Sequence, residues 1–240
     1  MQTVSHREPN DDCRGKASIQ IVCRRIATLW PSASNCSSER CHRSCHESKA
    51  IFRANAIIEN VNAENVPDQT QRNGFLGQAY FMRAFSYFYL VNLYGKVPLV
   101  TETAKSSDDF FPGQASVTEV WGQIVADFAK AEELLPASWS GDSDAGRPTN
   151  GAATAFKGKS YLYQGKWAEA ETAFQKVVDS GLYSLLPAAQ YQDNFTEANE
   201  NNSESVFELQ YGSNSDDNGW VLDDNHSENF KASQGWMRSW

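Results

Sequence analysis

The sequence predicts a mainly α protein built of helix hairpins with long loops and a minor β element. Three observations carry this. Residues 116–135 repeat apolar side chains at the helical period, residues 74–94 are apolar on nearly every side, and residues 150–181 read as two short helices, each stopped by a glycine.

From Ala50 onward, Ile51, Ala54, Ile58 and Val61 fall on one helical face that fades near Pro67. Gly74 to Tyr94 follows as a helix buried among neighbours. Gly95 supplies a left-handed stop there, and Val97-Pro98 turns the chain away. Ser116 and Glu119 form an S-x-x-E capping box, whose side chains satisfy backbone donors at a helix start. That helix buries Val117, Val120, Trp121, Ile124, Phe128, Ala131 and Leu135 and ends at Pro136. The loop from Ala137 to Arg147 is rich in Ser, Gly and Asp. Thr149 can cap a small-residue helix, Ala152 to Gln164, ending at Gly165, and Trp167 to Ser180 makes a second, ending at Gly181.

The stretch from Ala155 to Phe174, AFKGKSYLYQGKWAEAETAF, resembles a tetratricopeptide unit. Ala155 and Gly158 would let the first helix approach closely, and Ala170 and Phe174 would pack back from the second. Val206 to Tyr211 alternates Phe207, Leu209 and Tyr211 against Val206, Glu208 and Gln210, as a half-buried strand does. Beyond Gly212 the chain is polar and stops without helix, turn or cap. Truncation at the C-terminal side is therefore expected.

The chain has 240 residues, 40% of them hydrophobic and 12% aromatic, enough apolar surface for a packed core. A formal charge of −9 with no Lys/Arg stripe excludes nucleic-acid binding, which needs clustered cations. No run approaches the roughly 20 apolar residues that span a bilayer, so any membrane attachment would have to be a lipid.

Composition changes abruptly near residue 49. All five cysteines and three of the four histidines lie before residue 50. Eight of the 21 basic and five of the 30 acidic residues fall there, leaving 13 and 25 for the remainder. Residues 1–48 show no sustained amphipathic period and read as a disordered or out-of-frame segment. Cys41, His42, Cys45 and His46 have plausible metal-ligand spacing, but residues so close cannot readily wrap one tetrahedral ion, and no second ligand pair follows. Disulfides remain open, although an odd count leaves one thiol over. Neither Cys13 nor Cys23 has the small-residue context of a lipoprotein cleavage site, and Ile19 to Cys23 is too short for a secretory signal.

An enzymatic constellation is not evident. The paired acids Asp108-Asp109, Glu132-Glu133 and Asp223-Asp224 are adjacent and diverge, whereas glycoside hydrolysis needs carboxylates converging across a cleft. His226 has no recognisable partner. No phosphate loop or nucleophile motif is present, and no cofactor, metal site or catalytic residue is assigned. Tyr80, Phe81, Phe85, Phe88, Trp121 and Phe174 fall within helical periods and read as core. Trp139, in a polar loop, and Trp220, beyond the strand, fit the helical core less well and are the two candidate ligand-binding residues.

Several blocks together resemble the SusD/RagB family of nutrient-binding outer membrane lipoproteins. They are RANAIIEN (Arg53 to Asn60), GQAYFMRAFSYFYLVNLYGKVPLV (Gly77 to Val100), SVTEVWGQIVADFAKAEELLP (Ser116 to Pro136), GRPTNGAA (Gly146 to Ala153) and ESVFELQY (Glu204 to Tyr211). The resemblance covers about residues 49–220. It implies a SusD-like domain over residues 49–240, incomplete at its C-terminal side, with the first 48 residues outside the match. It further implies a non-catalytic cell-surface protein that binds an oligosaccharide or peptide nutrient and passes it to a TonB-dependent SusC-like transporter. Membrane attachment would then be through a lipid anchor that the first 48 residues do not supply. The competing class is a tetratricopeptide-type scaffold that binds protein segments, and a glycoside hydrolase ranks third. The irregular strand, the long polar loops and the absence of a clean 34-residue repeat disfavour the scaffold.

Overall fold

The computed structural model describes residues 39–210, apart from 107–108, 110–111, 140–143 and 145, with side chains from Glu47 onward except that of Glu197. Five α-helices occur there: α1 (Glu39–Asn60), α2 (Gln69–Tyr94), α3 (Val117–Leu134), α4 (Asn150–Tyr163) and α5 (Trp167–Asp179). They are followed by the 3-10 helices Ala188–Phe195 and Glu197–Asn199. No described helix is long and apolar enough to cross a membrane. The chain forms two compact units, Met1–Asp127 and Phe128–Trp240, and α3 contributes residues to both.

In the first unit α1 packs along α2. Asp68 starts α2 by accepting from the amides of Thr70 (2.7 Å) and Gln71 (3.3 Å), so the helix begins at Gln69, earlier than the apolar run alone indicates. Its buried face carries Phe81, Tyr87, Phe88, Leu90 and Val91, and Phe88 meets Trp121 of α3 edge-on at 5.7 Å. At its end Gly95 takes φ +70° and donates its N–H to Val91, the stop expected of that glycine. The Ser116–Glu119 capping box forms as predicted. The Ser116 N–H donates to Glu119 Oε2 at 2.8 Å, and the Glu119 N–H donates to Ser116 Oγ at 3.2 Å.

In the second unit α4 and α5 form the predicted hairpin. Thr149 caps α4 through the Ala152 amide, and the chain reverses at Gly165, where φ is +72°. A Cβ at Gly158 would lie 2.9 Å from the Phe174 ring, so the glycine is what admits that ring. Phe174 itself is 36% exposed, so it covers the helix contact rather than filling a core as its position in the period implied. Phe128 stacks on Phe156 at 5.7 Å, and Phe207 meets Phe156 edge-on at 6.0 Å. Glu132 is salt-bridged to Lys157 and, at 3.4 Å, to Lys176, which links the end of α3 to α4 and α5.

The strand expected over residues 206–211 does not form among the described residues. Residues 206–210 carry no ladder, and Tyr211 lies outside the described residues. Alternation reports half-burial, but a strand also needs a neighbouring chain to accept and donate its backbone bonds. Here Phe207 is held by Phe156 instead. The β pairing described is an isolated antiparallel bridge between Pro98 and Gln114.

Candidate binding site

Two polar loops are displayed on helical frames, one in each unit. The first leaves α2 after Gly95 and returns at Ala115. Its ends meet in the Pro98–Gln114 bridge, reinforced by the Ala115 N–H donating to Val97 O at 3.0 Å. Below it lies a buried polar network. Arg83 of α2 is 4% exposed and Asp127 of α3 is 2% exposed. Arg83 Nε donates to Asp127 Oδ2 at 2.8 Å and Nη2 to Oδ1 at 2.7 Å, while Nη1 donates to Asn55 Oδ1 of α1 and to Thr101 O, both at 2.9 Å. Asn55 Nδ2 in turn donates to Val100 O (3.0 Å) and Glu102 O (3.3 Å). The Tyr87 hydroxyl accepts from the Val100 N–H at 2.7 Å.

Both Asp127 oxygens accept hydrogen bonds, Oδ1 also from Gln123 Nε2 at 2.8 Å, so the group is a carboxylate. Burial pushes its carboxyl above the ordinary value, and the bonds from Arg83 only partly offset this. For Arg83 burial works against the charge, but Asp127 outweighs it and holds the guanidinium above its usual value. Burial likewise raises the Tyr87 hydroxyl. An ion pair so enclosed is a structural clamp and offers a ligand nothing. Its output is the fixed course of residues 98–103.

The second loop runs from Pro136 to Thr149. Trp139, the candidate in this region, is half-buried, with its indole N–H donated to Pro148 O at 2.9 Å and the Arg147 guanidinium carbon 5.4 Å from the ring centroid. Arg147 is salt-bridged to Asp144 at 3.1 Å. Trp139 can therefore offer a ligand its ring but not its N–H. Gly146 has φ +82°, and a Cβ there would collide with the Gln210 side chain. Trp220, the other candidate, lies outside the described residues, so the two are not brought together here.

Of the paired acids, Glu132 faces Lys157 and Lys176 whereas Glu133 is salt-bridged to Lys130, the divergence expected of neighbours on a helix. Asp109 accepts from the amides of Lys105 and Ser106 and closes a turn. Asp108, Asp223, Asp224 and His226 lie outside the described residues, as do the side chains of Cys41, His42, Cys45 and His46. Among the described residues no group of His, Cys, Asp and Glu is arranged to hold a metal ion.

The clamp residues Asn55, Arg83, Tyr87 and Asp127 went unremarked in the periodicity. The signal was present as an arginine inside an otherwise apolar helix, since a buried charge must find a partner.

Comparison with known proteins places these features in context. A SusD-like family model described as "Starch-binding associating with outer membrane" matches residues 39–162. SusD-like protein P25 of Formosa agariphila is 26% identical over 163 residues, covering 68% of this chain and 30% of that protein. A solved structure described as a laminarin binding SusD-like protein is 36% identical, with TM-score 0.63 over 70% of this chain and 37% of that one. A SusD-like protein from Bacteroides fragilis, 24% identical, shares the fold with TM-score 0.66 over 83% of this chain and 42% of its own. The chain thus spans less than half the length of each of these relatives.

Proposed function

Because this chain belongs to the SusD-like family, whose description is starch-binding with outer membrane association, we propose that it captures a neutral oligosaccharide without transforming it. The protein passes that nutrient to a TonB-dependent SusC-like transporter at the cell surface, held to the outer membrane by a lipid anchor. The binding domain occupies about residues 49–240, and the first helix and the family match reach back to residue 39. The observation that carries the reading is the 36% identity to a laminarin-binding relative across 70% of the chain. The loop architecture supports it, since polar loops held on a helical frame suit ligand recognition. Trp139 and Trp220 are the proposed ligand-contacting residues, with the Trp139 ring rather than its N–H facing the sugar. A peptide nutrient is the second ligand class, because ring and amide contacts suit both.

Isothermal titration against a panel of glucans and peptides, with the products separated by chromatography, tests the proposal. Binding of a glucan without turnover is expected. For a neutral ligand the affinity should change little as salt is raised, because no charge pairing is screened. Release of shortened sugars would overturn the non-catalytic reading, and binding of peptides alone would overturn the glycan reading.

A further inference from the structure

Trp139 rests on residues 146–148, because its indole N–H is donated to Pro148 O at 2.9 Å and the Arg147 guanidinium carbon lies 5.4 Å from its ring centroid. What fixes those residues is a second segment of the chain. A Cβ at Gly146, where φ is +82°, would collide with Gln210 Cγ and lie 3.2 Å from Cδ, so the Gln210 side chain runs flat against the Gly146 backbone. Its far end is held by Asn201. Gln210 Nε2 donates to Asn201 Oδ1 at 3.0 Å, and Asn201 Nδ2 donates to Gln210 Oε1 at 3.4 Å. Asn201 has φ +55°, the one non-glycine residue in the left-handed region among the described residues, and its N–H donates to Glu208 Oε1 at 3.2 Å. This segment is moored in turn. Phe207 meets Phe156 of α4 edge-on, and the Ser184 N–H donates to Ser203 O at 2.9 Å.

We propose that the Asn201–Gln210 amide pair is a positioning device for Trp139, acting through Gly146 and Arg147 to set the orientation of the ring, a proposal that rests on the reading of Trp139 as a ligand contact above. Filling a core does not account for the pair. Two polar amides bury no apolar area, and a left-handed backbone at a residue carrying a Cβ costs free energy that some other requirement must offset. The pair immobilises a long, freely rotating glutamine side chain against a backbone that has no side chain of its own. With Gly146 held, the Pro148 carbonyl and the Arg147 guanidinium meet Trp139 in one arrangement, so the ring is set before a ligand arrives and less freedom is lost on binding.

The test uses the whole 240-residue chain and a nitrogen–proton correlation spectrum, in which Trp139→Phe identifies the Trp139 indole N–H among those of the seven tryptophans. Asn201→Gly keeps the left-handed backbone and loses the amide, and Gln210→Ala removes its partner. Both should shift the Trp139 resonance and speed its exchange with water by about tenfold, because the bond to Pro148 O opens more often. Gln175→Ala, which removes a side-chain bond to Asp179 on α5, should leave the resonance unmoved. All variants should melt within about 2 °C of the parent, since an exposed polar pair contributes little to stability. In isothermal titration with laminarin oligosaccharides, Asn201→Gly and Gln210→Ala should each bind about fivefold more weakly than the parent. An unmoved resonance in both would overturn the device. A fall of many degrees in melting temperature would overturn it too, by assigning the pair to the fold. A shifted resonance with the affinity of a binding parent preserved would overturn the part of the pair, and of Trp139, in ligand capture. A parent that binds no oligosaccharide would overturn the carbohydrate reading, while the resonance still decides whether the pair positions the ring.

Discussion

Arg83 grips Asp127 with both arms of its guanidinium, at 2.8 and 2.7 Å, in a place where each residue is less than 5% exposed. Removing one partner strands a buried charge. Asp127→Ala should destabilise the fold by about 3–5 kcal/mol, whereas replacing both residues together with Met and Leu should recover much of that loss. Urea unfolding of the two variants decides it, and equal midpoints for the single and double replacements would sink the clamp.

Asp68 caps the start of α2, and Ser116 with Glu119 caps that of α3. Asp68→Ala and Ser116→Ala should each cost about 1 kcal/mol, because each leaves backbone donors without an acceptor. The two sites share no partner, so the double variant should lose the sum. Marked non-additivity in chemical denaturation would contradict independent caps.

Gly158 is where α4 admits the ring of Phe174. Gly158→Leu should overpack that contact and cost about 1–3 kcal/mol. Combining it with Phe174→Ala should return part of the loss, and a thermal melt in which the second change deepens the damage would remove the pairing.

Several carboxylates are held below their ordinary value by hydrogen bonds: the half-buried Glu204 by Asn194 and the Leu186 amide, and the exposed Glu119 by Ser116 and Glu59 by Thr103. A lowered folded value means the stabilisation is present above the unfolded value and is lost as pH falls through the folded one. Stability should therefore decline as pH drops below about 4.5, the ordinary value for Glu. Glu204→Gln keeps an acceptor oxygen but loses the charge, so it should be less stable than the parent at neutral pH, converge with it at low pH and thereby flatten the acid limb. An acid limb with unchanged slope would exclude Glu204 from it.

What the sequence made legible was local. The capping box at Ser116 and the stops at Gly95 and Gly165 depend on residues a turn apart, so spacing alone exposes them. The clamp joins Asn55 to Arg83 and Arg83 to Asp127 across long stretches of chain, and no period reports such a pairing. Phe174 shows the reverse limitation, because its spacing placed it toward the neighbouring helix without saying whether anything would cover its outer face. Trp139 was picked out as a loop tryptophan, yet its bond to Pro148 depends on how the loop folds back. That return is invisible until the loop is built.

The clamp beneath the first loop reaches Val100, Thr101 and Glu102 through their carbonyl oxygens, and Val100 also through its amide. Every residue type carries that carbonyl, so the grip is indifferent to which side chains the loop displays. The helical frame behaves as a socket, and the residues above it can be rewritten, by drift or by an engineer grafting a new specificity, without loosening the fitting. Proline is rejected at position 100, where Tyr87 takes the backbone N–H, and at position 103, where Glu59 of α1 does.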